Sequence, residues 1–401
     1  MSEFYQLARQ LFDYTRDLRR SIHQHPETAH EEVNTARLAA EQLASFGLEV
    51  KTNVASTGVL GYLETDPNAP TVMIRADMDA LNMSEANDVP YASQVAGKMH
   101  ACGHDGHTAM LITAARLLSE HKSELQGNVL FLFQPAEEGG FGAQRMLDAG
   151  ALDWHKPDYS LGLHVWNQDQ IGTITIHGGP IMAGARMFEV KITGKGGHGA
   201  VPDLAIDPLL AAAQCVTSLQ SVVSRNISPL QSGVISVCTF HAGTAKNVIP
   251  ATATFGGTMR AFTDDVWQIL NDRFFQIVEQ TASAFGCEAE ITMQEAIGAT
   301  TNDKEIAALT KAAVLEVMPF MKVNETYQTM GSEDMSIWLD AVPGCFFFIG
   351  SANEEKGLNA PHHHPMFDID EDVLPMGAAA LANATKHILT MKASQRDPLS
   401  R

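Results

Sequence analysis

Within nine residues, the segment MHACGHDGH (99–107) holds His100, Cys102, His104, Asp105 and His107. Imidazole nitrogen, thiolate and carboxylate are the usual donors for zinc and similar divalent ions. The same residue types gather elsewhere: Asp77 and Asp79 in RADMD, the adjacent Glu137 and Glu138 in QPAEE, His164 in LGLHVW, and His362, His363 and His364 in PHHHP. An adjacent glutamate pair lets one carboxylate bind a metal while its neighbour accepts a proton, the division that metal-assisted hydrolysis needs. Each cluster alone has a plainer reading. Cys102 suits a small buried residue, a lone histidine a hydrogen-bonded core position, the glutamate pair a helix start, and the triple histidine a solvated loop.

Placement sets the clusters apart. TVMIRADMD (71–79), NVLFLFQ (128–134), YSLGLHVW (159–166) and CFFFIG (345–350) are apolar runs suited to buried strands. The clusters lie in or after such runs, or just before the helix expected over 107–120. In open α/β sheets, ligands bind beyond the carboxyl ends of strands, so the scattered clusters become parts of one site.

The elements that must position them alternate. Phe4, Leu7, Leu11, Tyr14, Leu18 and Ile22 recur at helical spacing and predict an amphipathic first helix. A second helix is expected over 32–46, stopped by Gly47. Strands and helices in alternation predict an α/β domain with a mainly parallel sheet. The texture changes near Gly178–Gly184, where the order becomes strand (186–193), helix (207–224), strand (233–241), strand (251–262), helix (264–284), strand (287–294). That is a β-α-β-β-α-β unit of the ferredoxin-like kind, inserted into the larger domain. The division is therefore 1–183 and 297–401 for the larger domain and 184–296 for the insertion.

Composition bounds the function. The 27 Lys+Arg against 47 Asp+Glu give a net charge of −20, which repels phosphate backbones and anionic membranes. No apolar run approaches the roughly 20 residues that cross a bilayer, and the charged N-terminus lacks the apolar stretch of a secretory signal. Five scattered cysteines form no disulfide framework, so a cytoplasmic location is expected.

The chain resembles the M20 family of metallopeptidases and amidohydrolases, in the branch of aminoacylases, hippurate hydrolases and auxin-conjugate hydrolases. The motifs that carry the resemblance run in order along nearly the whole chain. They are RRSIHQHPE (19–27), IRADMDAL (74–81), GKMHACGHDGHTAM (97–110), FQPAEEGG (133–140), LGLHVW (161–166), GKGGHGAVPD (194–203), GTAKNVIP (243–250), GTMR (257–260), GSEDMS (331–336) and HHPMFDIDE (363–371). Asn82 departs from the proline usual after the RADMDAL motif. The cysteine of CGH marks the amidohydrolase branch.

The resemblance implies a zinc-peptidase type of catalytic domain with the insertion as a lid and dimerisation module. It implies metal ligands at Cys102, His104, Glu138, His164 and His363, with His362 the alternative for the last. Two divalent ions per subunit are implied, zinc foremost, with manganese, cobalt or nickel as alternatives. Glu137 would be the general base and acid, and Asp79 would orient a ligand or tune the metal. His198 would stabilise the oxyanion across a homodimer or higher homo-oligomer, and Asn247 and Arg260 would hold the substrate's carboxylate or neighbouring polar groups. Without the resemblance, Asn247 reads as a turn residue and Arg260 as a surface salt bridge. The activity implied is hydrolysis of small N-acyl amino acids. The alternatives are a dipeptidase of the same fold, a thiol hydrolase built on Cys102, and a non-catalytic binding protein.

Overall fold

The computed structural model describes residues 3–396. The chain divides into two compact units. The larger takes the chain up to Ile181, Thr301–Tyr327 and the chain from Asp334 onward; the smaller takes Met182–Thr300 and Gln328–Glu333. The sequence reading assigns 1–183 and 297–401 to the larger domain, so 182–183, 297–300 and Gln328–Glu333 depart from it. The reason is local pairing: Thr329 bridges Met182, its carbonyl accepts from the Ala183 amide, and the Met330 carbonyl accepts from Arg260.

The larger unit is built on an eight-stranded sheet. At its centre Asn128–Gln134, Thr71–Asp77, Tyr159–Gln170 and Gly344–Ala352 lie side by side and parallel. The antiparallel pair Glu49–Val54 and Gly58–Leu63 extends one edge, and Thr173–Thr175 with Lys322–Asn324 the other. Every residue of Thr71–Asp77, Asn128–Gln134 and Gly344–Ala352 is buried. Strands covered on both faces need no polar alternation, hence the continuous apolar runs. The helix His104–Glu120 packs on Phe12–Gln24 and Val373–Arg396, and the last also packs on Lys304–Val317. Val33–Ser45 lies on the hairpin strands, burying Ala36, Ala39 and Leu43 along one face.

Two helix boundaries differ from expectation. The N-terminal helix is two, Glu3–Gln10 and Phe12–Gln24. At Leu11 the amide is shared between the Leu7 and Ala8 carbonyls, and the Thr15 hydroxyl bonds back to the Leu11 carbonyl, so the turn tightens without exposing Phe4, Leu18 or Ile22. The helix expected from residue 107 starts at His104, which brings that histidine into its first turn.

The smaller unit has a four-stranded antiparallel sheet in the order Gly233–Ala242, Thr252–Ala261, Gly184–Thr193, Glu288–Met293. Helices Pro208–Arg225 and Asp264–Ala284 pack on it over a core that includes Val190, Leu219, Phe255, Leu270 and Phe274. The chain order β-α-β-β-α-β is ferredoxin-like, as expected. Asp207 starts the first helix by accepting from the Leu209 and Leu210 amides, with Pro208 in the first turn. Among the described residues, no helix is long and apolar enough to cross a membrane.

Candidate metal centre

Parallel strands share one carboxyl edge, and the predicted clusters meet there. Donor atoms of Cys102, His104 and His164 lie within 4.8 Å of one another, as do those of Cys102, Glu138 and His363, and those of His104, Glu137 and Glu138. The three sets share members, so six of the predicted residues form one continuous group in the larger unit.

Hydrogen bonds decide what each ring offers. His104 Nδ1 donates to the Asp79 carbonyl at 2.9 Å, with Asp79 Oδ1 at 3.3 Å, while its buried Nε2 has no hydrogen-bond partner. His164 Nδ1 donates to the Val165 carbonyl at 2.6 Å and turns Nε2 toward Cys102 Sγ, 3.5 Å away. A carbonyl on one ring nitrogen leaves the other as a lone pair, the usual preparation of a metal-binding histidine. A buried ring nitrogen left bare is costly unless a cation takes it.

The charges agree. Burial opposes a charged His104, yet the Asp77, Asp79 and Glu138 carboxylates outweigh it and push its pKa up to about 10. Burial, then Glu138 and Glu137, hold the Cys102 thiol far above its ordinary range. The site is rich in negative charge and short of positive charge, and a divalent cation corrects both shifts. The same surroundings disfavour Cys102 as a nucleophile, because a reactive thiol needs an electropositive setting.

His107 groups with Asp77 and His104 as a further donor set, but it is occupied on both sides. Its Nδ1 donates to Asp77 Oδ1 at 2.6 Å and its Nε2 accepts from the Val165 amide at 2.9 Å. It ties the strand bearing His164 to the helix bearing His104. Asp77 is in turn held by buried Arg75 at 2.7 Å, which also binds Gln134 at 2.9 Å and Asp334 at 2.8 Å. The consecutive histidines separate in the same way. His362 Nε2 donates to the Val165 carbonyl at 2.9 Å, and burial lowers its pKa to about 3. His363, in the left-handed backbone region at φ 62°, places Nε2 3.1 Å from Glu138 Oε1. Of the two, His363 faces the donor group.

Asp79 stands behind the group. Besides His104, its Oδ1 accepts from the Glu137 amide at 3.0 Å and its Oδ2 from the Glu138 amide at 2.9 Å. Gly103 permits the approach of the cysteine and histidine: its φ is +91°, and a Cβ there would meet Val165 Cγ2 at 2.3 Å. Behind the helix start, Asp105 accepts from Arg19 at 2.7 Å and from His23 at 2.8 Å, and Arg19 also pairs with Asp368 at 2.6 Å.

The remaining predicted residues belong to the smaller unit. His198 pairs with Val248 in a short two-stranded ladder, and the Gly199 amide donates to the Asn247 carbonyl at 2.9 Å, so His198 and Asn247 lie on facing segments. Both are exposed. Arg260, on the strand Thr252–Ala261, donates to the Met330 carbonyl at 2.6 Å.

Glu32, Arg19, Arg75 and Asp334 were not singled out by the sequence. Glu31–Glu32 before a helix reads as an acidic first turn. The partners that tie each of the four into the site include distant ones: Ala136 for Glu32, Asp105 and Asp368 for Arg19, Gln134 for Arg75, and Arg75 for Asp334. A buried arginine inside the apolar run TVMIRAD was the one available signal.

Together, a parallel sheet with ligand types at its carboxyl edge and histidine Nε2 atoms turned toward a cysteine and paired glutamates define a metallo-amidohydrolase. The chain belongs to peptidase family M20/M25/M40, whose pattern matches residues 73–387. It is 44% identical over 400 residues to IAA-amino acid hydrolase ILR1-like 4 of Arabidopsis thaliana, covering 98% of this chain and 90% of that protein. It is 36% identical over 372 residues to N-acetyl-L-cysteine deacetylase of Bacillus subtilis, covering 93% and 87%. With thermostable carboxypeptidase 1 of Saccharolobus solfataricus it shares 38% over 379 residues, covering 94% and 95%. Among solved structures, the Bacillus subtilis YXEP protein, described as a dinuclear metal-binding peptidase of the M20 family, superposes with a TM-score of 0.83 at 32% identity, covering 95% of this chain and 99% of that one.

Proposed function

We propose that this protein hydrolyses the amide bond of N-acyl amino acids, with N-acetyl, N-benzoyl or related acyl groups, to a carboxylic acid and a free amino acid. The observation that carries the reading is the convergence of the bare His104 Nε2, the His164 and His363 Nε2 atoms, a cysteine sulfur and paired glutamates in a carboxylate-rich site. The relatives named as an IAA-amino acid hydrolase and an N-acetyl-L-cysteine deacetylase support an amino-acid conjugate as substrate.

In this reading Cys102, His104, Glu138, His164 and His363 hold two divalent ions per subunit, zinc foremost and manganese, cobalt or nickel as substitutes. When bound, the metal supplies Lewis-acid polarisation of the scissile carbonyl and makes water a nucleophile near neutral pH. Glu137 accepts the proton of the attacking water and delivers it to the leaving nitrogen as the C–N bond breaks. Asp79 fixes the backbone beneath Glu137 and Glu138. His198 stabilises the oxyanion from the other subunit of a homodimer or higher homo-oligomer, and Asn247 and Arg260 bind the substrate's carboxylate. The five free cysteines suit a reducing, cytoplasmic setting.

The test is a panel of N-acyl amino acids and free dipeptides, assayed before and after chelation with metal add-back. N-acyl amino acids should be the better substrates, with activity lost to chelator and restored by metal. Glu137→Ala should lower kcat by about 10²–10⁴-fold with metal content retained. Turnover indifferent to chelation would sink the metal mechanism. Faster cleavage of dipeptides would favour peptide hydrolysis, the second reading, which the similarity to a carboxypeptidase supports.

A further inference from the structure

We propose that Glu32 is a positioning residue for the Glu137–Glu138 pair, acting with His30 as a two-point brace on the loop that carries them. The inference rests on the roles proposed above for those two glutamates.

Glu32 is fully buried. Its Oε1 accepts from the Ala136 amide at 2.9 Å and the His30 amide at 3.0 Å, and its Oε2 accepts from the Thr57 hydroxyl at 2.6 Å. Asp79 takes the next two amides, those of Glu137 and Glu138. Three successive amides, Ala136 to Glu138, are thus each bound by a buried or nearly buried carboxylate from a distant part of the chain. Bonds from an amide to a carboxylate are stronger than neutral ones and fix direction as well as distance.

The loop needs such bonds because its backbone is not relaxed. Ala136 and Phe141 both lie in the left-handed region at φ 56°, where residues with a side chain are held by their surroundings. Beyond the glutamates, His30 Nε2 donates to the Gly140 carbonyl at 3.1 Å, while its Nδ1 accepts from the Ser56 hydroxyl at 3.1 Å. The segment 30–32 therefore grips the loop on both sides of Glu137 and Glu138. Without Glu32, Ala136 loses its amide partner and the adjoining backbone that aims Glu137 can relax. The effect belongs on turnover and on metal geometry, since nothing in the brace itself touches substrate.

The experiment compares Glu32→Ala, Glu32→Gln and Glu137→Gln as metal-loaded proteins. The readouts are kcat, KM, metal content, thermal midpoint and the visible absorption of the cobalt-substituted form. Glu32→Ala should lower kcat by about 10- to 100-fold, as loss of residues behind metal ligands does, with KM changed less than about twofold and a shifted cobalt spectrum. Glu32→Gln should restore most of both, because its amide oxygen still accepts from the Ala136 and His30 amides and Thr57 can turn to accept. A lower thermal midpoint with unchanged kcat and cobalt spectrum would reduce Glu32 to a fold contact and overturn the proposal. Equal losses in Glu32→Ala and Glu32→Gln would overturn it too, by making the charge rather than the hydrogen bond essential. Should Glu32→Ala fail to fold, His30→Ala loosens the other end of the loop. A several-fold loss of kcat there supports the brace, and an unchanged kcat overturns it. Glu137→Gln separates the two levels: if it still turns over, the role proposed for Glu137 falls and the brace with it; if it is inactive while Glu32→Ala is normal, the brace alone falls.

Discussion

His104, His107 and His164 are buried beside one another, yet their ring nitrogens are used differently. His107 spends both, one on Asp77 and one on the Val165 amide, and so ties strand to helix. His104 and His164 spend Nδ1 on carbonyl oxygens and keep Nε2 for the site. The same logic divides His362 from His363, whose order in PHHHP leaves either open. His363→Asn is expected to lower bound metal and activity together. His362→Asn should keep metal stoichiometry and lose about 1 kcal/mol of stability with the Val165 hydrogen bond. Elemental analysis of the two purified variants decides, and metal lost from His362→Asn but not His363→Asn would reverse the assignment. Residue type and spacing alone leave that division open; the family resemblance points to His363, and the ring contacts that separate the two involve a strand nearly 200 residues away.

The helix His104–Glu120 is the element on which the site turns. Its start is set by Gly103, whose left-handed backbone lets the chain pass Val165, and by the ion network behind Asp105. Arg19 is fully buried among Asp105, Asp368 and Glu371 and joins the second helix of the chain to this one and to the C-terminal loop. Removing one member of a buried ion group leaves its partners as uncompensated charge. Arg19→Met should therefore cost about 3–5 kcal/mol, read as a lower urea midpoint. An unchanged midpoint would mean the carboxylates find water or protons at little cost. The strands here were easy to read, since burial on both faces writes itself as unbroken apolar residues. The break at Leu11 was not, because both helices keep the same apolar spacing through a single tightened turn.

At the scale of the whole chain, a net charge of −20 and a buried group of carboxylates pull in one direction. A cation that binds only the folded chain stabilises it by mass action, about 2.7 kcal/mol at a hundredfold excess over its Kd. Chelation should lower the thermal midpoint, and readdition of metal should restore it, even with no substrate present. A midpoint indifferent to chelator would show that the donor group is folded and balanced without a cation. The two units also differ in how they were read: the inserted β-α-β-β-α-β order follows from local periodicity, whereas the return of Gln328–Glu333 to the smaller unit rests on bridges to Met182 and Arg260.

Residue type and local period are properties of a few neighbouring positions, and they determined the α/β class, the ferredoxin-like insertion and the list of metal-binding residue types. Family motifs, read in order, added the expected roles. What only the tertiary structure decided is direction: which nitrogen of each histidine is free, which of the consecutive histidines faces Glu138, and that Glu32 and Asp79 hold three amides in a row. Those facts arise where strands and loops far apart in the chain meet at one sheet edge, and no local spacing encodes that meeting.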